Sequence, residues 1–260
     1  MKSVVELNLL NFGLVYLLLI VVLAIMKKAK ISQTKLLIVA SFRMTVQLVL
    51  AGLILTYIFK NPHPLFTVAY LCAMTIFAVN RVLSKNRRIN RKFKIAVAAS
   101  IAAEGLLIIL FFVGVIVRVD VFDPQYAIPI SGMVIGNAMT GVSLGLKTFN
   151  ETLSSSRNQI EALQNLGVTP RKILLPFVNN ALETALLPTL NSMLGMGIIS
   201  LPGMMTGQIL SGTLPMTAIL YQIAIMISIC TAVCLTVFSS LYFGYRTLYN
   251  QRNQIMADQQ

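Results

Sequence analysis

Seven stretches of this chain are apolar for about as long as a bilayer is thick, and no other feature restricts its fold as strongly. A crossing helix needs about 20 predominantly apolar residues. The stretches are Val4–Met26, Leu36–Phe59, Leu65–Val82, Ile95–Val117, Tyr126–Leu146, Ala181–Leu201 and Leu214–Tyr242, the fifth and sixth interrupted by Gly, Pro, Asn and Ser. Inside hydrocarbon the backbone finds no water to bond, so each stretch must be helical. The prediction is an all-α integral membrane protein with about seven transmembrane helices in one transmembrane domain over 1–260. Composition agrees: 57% of residues are hydrophobic and 11% charged, against about 25% charged in soluble domains. Val4–Met26 reads as a retained helix, not a signal peptide.

The net charge is +13. The basic residues lie between apolar spans, which points to the positive-inside pattern and not to nucleic acid. Lys27, Lys28, Lys30 and Lys35 follow the first span. Arg81, Lys85, Arg87, Arg88, Arg91, Lys92 and Lys94 follow the third. Lys147, Arg157, Arg171 and Lys172 follow the fifth, with Arg246 and Arg252 at the end. The other side holds Lys2, Lys60 and Arg118, with Asp120 and Asp123. The expected orientation has the N-terminus outside and the C-terminus cytoplasmic, in the cell (cytoplasmic or inner) membrane.

The longest polar stretch on the basic side runs from Lys147 to Lys172. It predicts a helix over Glu151–Leu166, ended by Gly167 as a left-handed cap. Thr169 then serves as N-cap, and Pro170 opens a helix that climbs back into the membrane. Pro176 and Pro188 are expected to bend that helix.

Several motifs fall short of chemistry. Gly141-Val-Ser-Leu-Gly145-Leu-Lys147-Thr148 has three residues between its glycines where a phosphate-binding loop has four, and Leu146 separates Gly145 from Lys147. The chain therefore has no ATPase motif of its own. Cys72, Cys230 and Cys234 lie inside apolar spans and read as small buried residues. The single His63, between Pro62 and Pro64, has no nucleophile or acid pair assembled around it. The chain is not expected to be an enzyme.

Other residues point to transport. Arg43, Glu104 and Glu183 lie within spans, where an ionisable group costs about 2.5–3.5 kcal/mol or more and is functional by default. At 1.5 Å per residue Arg43 and Glu104 fall about 10–14 Å from the cytoplasmic ends of their spans, and Glu183 lies near the start of the sixth, so Arg43 is placed to pair with Glu104 or Glu183. Such a pair either pins the bundle or lines a translocation path. Gly132, Gly136, Gly141 and Gly145 form two pairs at four-residue spacing, which gives the fifth helix two small faces for close packing. Asn137 lies between the two pairs and is a candidate for the path. From Ser192 to Gly207, Gly and Pro break the helix and methionines gather, among them Met193 and Met196. Broken backbone at membrane depth survives where protein or water surrounds it, and transport sites occur at such breaks. Thioethers favour soft metals such as Cu(I), whereas iron prefers oxygen and nitrogen, so the residues leave any metal unknown.

Ile160-Glu161-Ala162-Leu163-Gln164-Asn165-Leu166-Gly167 resembles the coupling signature of ATP-binding-cassette permeases, in which a short helix carrying Glu-Ala and then Gly fits a groove on the ATPase. Arg157, Glu161, Ala162 and Gly167, within the region 150–172, are the candidate coupling residues. The run Asn191-Ser-Met-Leu-Gly-Met-Gly-Ile-Ile-Ser-Leu-Pro-Gly-Met-Met-Thr-Gly-Gln-Ile-Leu-Ser-Gly, together with Arg43-x-x-x-Gln47, is similar to the FetB-type iron-export permeases and the plant aluminium-tolerance half-transporters. That resemblance implies a permease in a lipid membrane, paired with a separate ATP-binding subunit as two permeases and two ATPases. It implies iron efflux and resistance to oxidative stress, with ATP bound by the partner and no cofactor in this chain. The alternatives are a proton-coupled secondary transporter, or a permease for a nucleotide sugar or another metal.

Overall fold

Helix accounts for nearly all of the computed structural model, which describes residues 9–86 and 89–250. Among these residues the backbone forms no strand, only an isolated bridge between Met196 and Ser200. The helices are α1 (Leu9–Lys28), α2 (Thr34–Lys60), α3 (Pro64–Lys85), α4 (Arg91–Phe111), α5 (Pro124–Ser155), α6 (Arg157–Asn165), α7 (Pro170–Gly195), α8 (Gly203–Leu210) and α9 (Pro215–Tyr245). A π-helical stretch, Phe112–Val117, continues α4 and ends at Arg118, whose φ of 60° is left-handed.

Six of the described helices are long and apolar enough to cross a membrane: α2, α3, α4 with its π-helical extension, α5, α7 and α9. The protein is a multi-pass membrane protein. The expected first span starts at Val4, outside the described residues, which hold it from Leu9 as the 20-residue α1. Lys2, Arg87, Arg88 and Arg252 also lie outside them.

The described helices fall into two compact units. The first, Met1–Pro62 with Leu210–Thr213, contains α1 and α2. Tyr16 Oη and Thr45 Oγ1, 2.6 Å apart, link the two helices. The second unit, His63–Ile209 with Leu214–Gln260, is a helical bundle with a continuous core.

Local chemistry starts the bundle's helices where the sequence changes from polar to apolar. His63 Nδ1 accepts from the Leu65 amide ahead of α3 (3.2 Å), Asn90 Oδ1 from Phe93 ahead of α4 (2.7 Å) and Asp123 Oδ1 from Gln125 ahead of α5 (2.9 Å). These bonds satisfy amides that a helix start leaves open. The polar residues flanking the spans also clip the bundle's ends. Thr67 donates to the Phe122 carbonyl (2.9 Å), and Asn90 donates to Thr247 O (2.9 Å). Consecutive long helices thus alternate in direction. One end of the bundle gathers the starts of α3, α5 and α9. The opposite end gathers the starts of α4 and α7, together with α6.

Lipid tails are as apolar as leucine, so close packing, more than water exclusion, must hold helices together in a membrane. Small residues supply it. A Cβ on Gly141 would come within 2.7 Å of Val233 Cγ1, and one on Gly145 within 3.0 Å of Val237 Cγ1. The same two glycines lie against Ala185 and Ala181 of α7, so this face of α5 meets both α7 and α9. Gly132 points the other way, toward Met74 of α3, while Gly136 has open space. The two-faced reading of α5 therefore holds at three of its four glycines. Gly244 of α9 sits over the buried ring of Phe93, where a Cβ would lie 1.9 Å from Cε2. This contact locks α9 onto α4.

Two helix boundaries differ from expectation. The single helix expected over Glu151–Leu166 is divided at Ser156: α5 runs on to Ser155, and the separate α6 spans Arg157–Asn165. No proline follows Pro129 within α5, so the helix extends past the apolar stretch into the polar one. The sixth span starts earlier and stops earlier than Ala181–Leu201, because Pro170 opens α7 and Gly195 closes it. Thr169 holds the N-cap position with extended backbone, but its hydroxyl makes no capping bond; its carbonyl takes the first turn's amides instead. The helix runs through both Pro176 and Pro188. The cysteines are also less covered than expected: Cys72 is exposed, and Cys230 and Cys234 are half-buried. A thiol on an apolar span can face hydrocarbon at little cost, so burial was not required of them.

Candidate functional site

The candidate residues of the bundle lie in three places: an elbow at its basic end, a polar tier along its middle and a broken segment at the opposite end.

The elbow is α6 with its cap. Gly167 takes φ +77°, and two bonds close the turn: Val168 N–H to Leu163 O (3.1 Å) and Gly167 N–H to Gln164 O (2.9 Å). This pair is the Schellman arrangement, which needs a residue free to be left-handed at the Gly167 position. Ile160 is buried beneath α6, and Pro170 and Ile173 are buried at the start of α7, so the elbow is seated on the bundle. The outer face of α6 is uncovered. Arg157, Glu161, Ala162 and Gly167 are all exposed, and Leu166 is 79% exposed. Arg157 Nε and Glu161 Oε1 form an ion pair at 3.1 Å across one turn, and Lys147 and Glu151 form another at 3.8 Å on α5. The expected coupling residues thus share one accessible, well-terminated helical elbow.

The polar tier spreads over several helices. Glu104 of α4 is partly buried beside the Ser239 and Thr236 hydroxyls of α9, and it lies near the Cys234 thiol. One of its carboxylate oxygens, Oε2, is buried without a hydrogen-bond partner among the described residues, as are Thr236 Oγ1 and Ser240 Oγ. The cysteines have no carboxylate nearby in the sequence, yet the α4–α9 contact places one there. Glu183 of α7 is exposed, as is Asn180 one turn before it. Asn137 of α5 is exposed too, with its amide donating to the Met133 carbonyl (2.7 Å). Arg43 belongs to α2 in the first unit, where it is exposed.

The broken segment follows α7. Gly195 ends the helix, Gly197 turns the chain at φ +83°, and Gly197 N–H bonds to Ser200 O (2.9 Å). Ile198 and Ile199 at the tip are 90% and 86% exposed, so no part of the bundle covers them. Behind the tip is a cavity of about 480 Å³ whose lining includes Met193, Met196, Met205, Gln222 and Met226. Met193 and Met196 therefore do come together. Gln222 and Met226 do not stand out in the sequence, although an amide within the apolar Leu214–Tyr242 run is a legible signal. Thr236 and Ser239 give less, since hydroxyls within spans usually bond back to their own helix.

No solved structure matches the chain significantly. The model of the Uncharacterised protein family UPF0014 matches residues 9–249. The UPF0014 membrane protein YjkA of Bacillus subtilis is 30% identical over 96% of this chain and 99% of its own length. The probable iron export permease protein FetB of Escherichia coli is 31% identical over 97% of each chain. The protein ALUMINUM SENSITIVE 3 of Arabidopsis thaliana is 31% identical over 83% of this chain and 78% of its own. With its described spans, elbow and broken segment all inside the matched region, this chain belongs to the UPF0014 family of membrane proteins.

Proposed function

We propose that this chain is the permease subunit of an ATP-binding-cassette exporter linked to iron homeostasis and resistance to oxidative stress. A separate ATP-binding subunit grips it at α6 and supplies the only ATP in the complex. The assembly contains two permeases and two ATPases. The basic end, with α6 and the C-terminus, faces the cytoplasm, and the N-terminus lies outside, with α1 as the seventh span. The relative named a probable iron export permease supports the cargo.

The observation that carries this reading is the uncovered face of α6. A nine-residue helix is too short to persist in water unaided. Here it is anchored by Ile160 and the Gly167 cap, while Glu161, Ala162 and Leu166 are left exposed. Short helices that dock in grooves have this form. Closure of the ATPases would push α6, and the capped turn would pass that push to α7. A helix of 26 residues is about 39 Å long at 1.5 Å per residue, enough to reach the broken segment beyond the membrane's centre. ATP shifts the subunit between inward and outward states only by stabilising one more than the other.

The path runs along the polar tier. An exposed Glu183 facing lipid would cost about 2.5–3.5 kcal/mol or more. A second permease copy and the water between them would remove that cost. Asn137 and Glu104 continue the path. Co-purification of the ATP-binding subunit with this chain tests the reading. Wild type should retain it, and a Glu161→Lys plus Leu166→Asp variant should lose it while eluting as a folded protein. Equal retention by both would overturn the role of α6.

A second reading has one observation in its favour, the buried Glu104 Oε2 without a partner among the described residues. In that reading Glu104 carries a proton and the chain is a secondary transporter. Flux driven by a pH gradient without ATP, and lost in Glu104→Gln, would favour it.

A further inference from the structure

The cavity behind the broken segment is lined by thioethers from four separate stretches of chain. Met193 comes from the last turn of α7, Met196 from the irregular segment, Met205 from α8 and Met226 from the middle of α9. Met205 and Met226 are buried, at 8% and 9% exposed, while Met193 at 36% stands nearer the mouth. A flexible core filler would not need to converge on an empty space of about 480 Å³. Gln222 is the polar side chain among them. It is 6% exposed, its Nε2 lies 3.8 Å from Met196 Sδ, and its Oε1 is buried without a partner among the described residues. A buried carbonyl without a donor is rare and calls for a water or an ion.

We infer that this cavity binds one soft monovalent cation of the Cu(I) or Ag(I) class, held by the sulfurs of Met193, Met196, Met205 and Met226 and by Gln222 Oε1. Thioethers are neutral, soft donors that select Cu(I) over the harder divalent ions. The described lining supplies no carboxylate, imidazole or thiol. A divalent ion entering it would lose hydration that scales with the square of its charge, with no anionic ligand in return. A monovalent soft ion loses far less and gains sulfur contacts. Iron belongs to the oxygen and nitrogen class, so this is a separate site from any iron path. Thioethers do not titrate, so binding is independent of pH, unlike sites whose ligands must first shed protons.

The cavity's place in transport rests on the proposed permease function, so the test is made on this chain alone, without ATP. The full-length protein carries Cys72→Ser, Cys230→Ser and Cys234→Ser so that thiolates do not compete. Silver(I) nitrate is titrated calorimetrically into the detergent-solubilised chain at pH 7 and at pH 5. The expected result is one equivalent of Ag(I) with the same affinity at both pH values. The combined Met193→Leu, Met196→Leu, Met205→Leu and Met226→Leu variant should bind at least about tenfold more weakly. Leucine keeps the volume, and an unchanged elution profile shows that the variant is folded. Should it not fold, Met226→Leu and Met193→Leu singly should each weaken binding. Equal binding by wild type and leucine variants would overturn the site, as would affinity that falls on acidification. A chain that binds Ag(I) but needs no ATPase for transport would leave this site standing and contradict the coupling.

Discussion

The two ends of α7 are built by opposite means. At the Pro170 end the backbone groups of the turn are well bonded: Gly167 caps α6 with two bonds, Thr169 offers its carbonyl, and Pro170 and Ile173 are buried. At the Gly195 end the chain leaves the helix, turns at Gly197 and carries two isoleucines that the bundle does not cover. One end has a fixed shape with an exposed face. The other has a cavity lined by flexible methionine side chains. In the proposed permease, stiffness belongs where the ATP-binding subunit would push, and looseness where a passage would open. On that proposal the bundle between them must stay intact for one end to move the other.

Damage to the frame shared by both ends should have the largest effect, and it should not distinguish them. Gly244→Ala places a methyl 1.9 Å from the Phe93 ring. Overpacking of this kind costs about 1–3 kcal/mol, or more where the obstacle is rigid. The melting temperature in detergent should fall further for this variant than for Gly167→Ala, Gly197→Ala or Glu183→Gln. ATPase binding and transport should fall together. Adding Phe93→Leu should restore part of the stability.

A smaller change separates the ends. Gly167→Ala and Gly197→Ala each force a left-handed φ on alanine, at about 1–2 kcal/mol, and neither Cβ meets an atom within 4 Å. Backbone strain is thus the whole effect in both. Gly167→Ala should weaken ATPase association in a pull-down while the Met-lined cavity keeps its ligand. Gly197→Ala should do the reverse. If both variants act on association alike, the division between elbow and broken segment is wrong.

The third change has an effect on flux more than on stability. Glu183→Gln removes an exposed charge at membrane depth without altering shape. Elution and melting should hold, and transport rate should drop by about tenfold, roughly 1.4 kcal/mol in barrier. Unchanged transport would remove Glu183 from the path.

The smallest effect belongs to the Arg157–Glu161 pair. An exposed pair one turn apart on a helix contributes about 0.3–0.5 kcal/mol. Arg157→Gln should leave melting unchanged and weaken ATPase association by a factor that shrinks as salt is added.

Much of the fold is legible in residues whose local physics leaves few choices. The bilayer's thickness and the cost of an unpaired backbone make spans visible as apolar runs, and Gly167-x-x-Pro170 marks both the end of one helix and the start of the next. The Gly141/Gly145 face is readable because backbones approach closely only where side chains are absent. The split at Ser156 is not, since a polar stretch continues a helix or restarts one equally well. Contacts between distant segments are the least visible. Glu104 beside Thr236 and Ser239, and Gln222 beside Met196, depend on which helices become neighbours, and no local spacing encodes that.

If a partner's ATP hydrolysis, delivered through α6, drives cargo across the membrane, two subunits in a liposome should suffice to show it. Iron transport is followed in vesicles containing this chain and its ATP-binding subunit, with and without ATP. Transport should need both subunits and ATP, and should stop when Glu161→Lys and Leu166→Asp are introduced together. Full transport by the chain alone, or by the double variant in ATP, would contradict the coupling through α6.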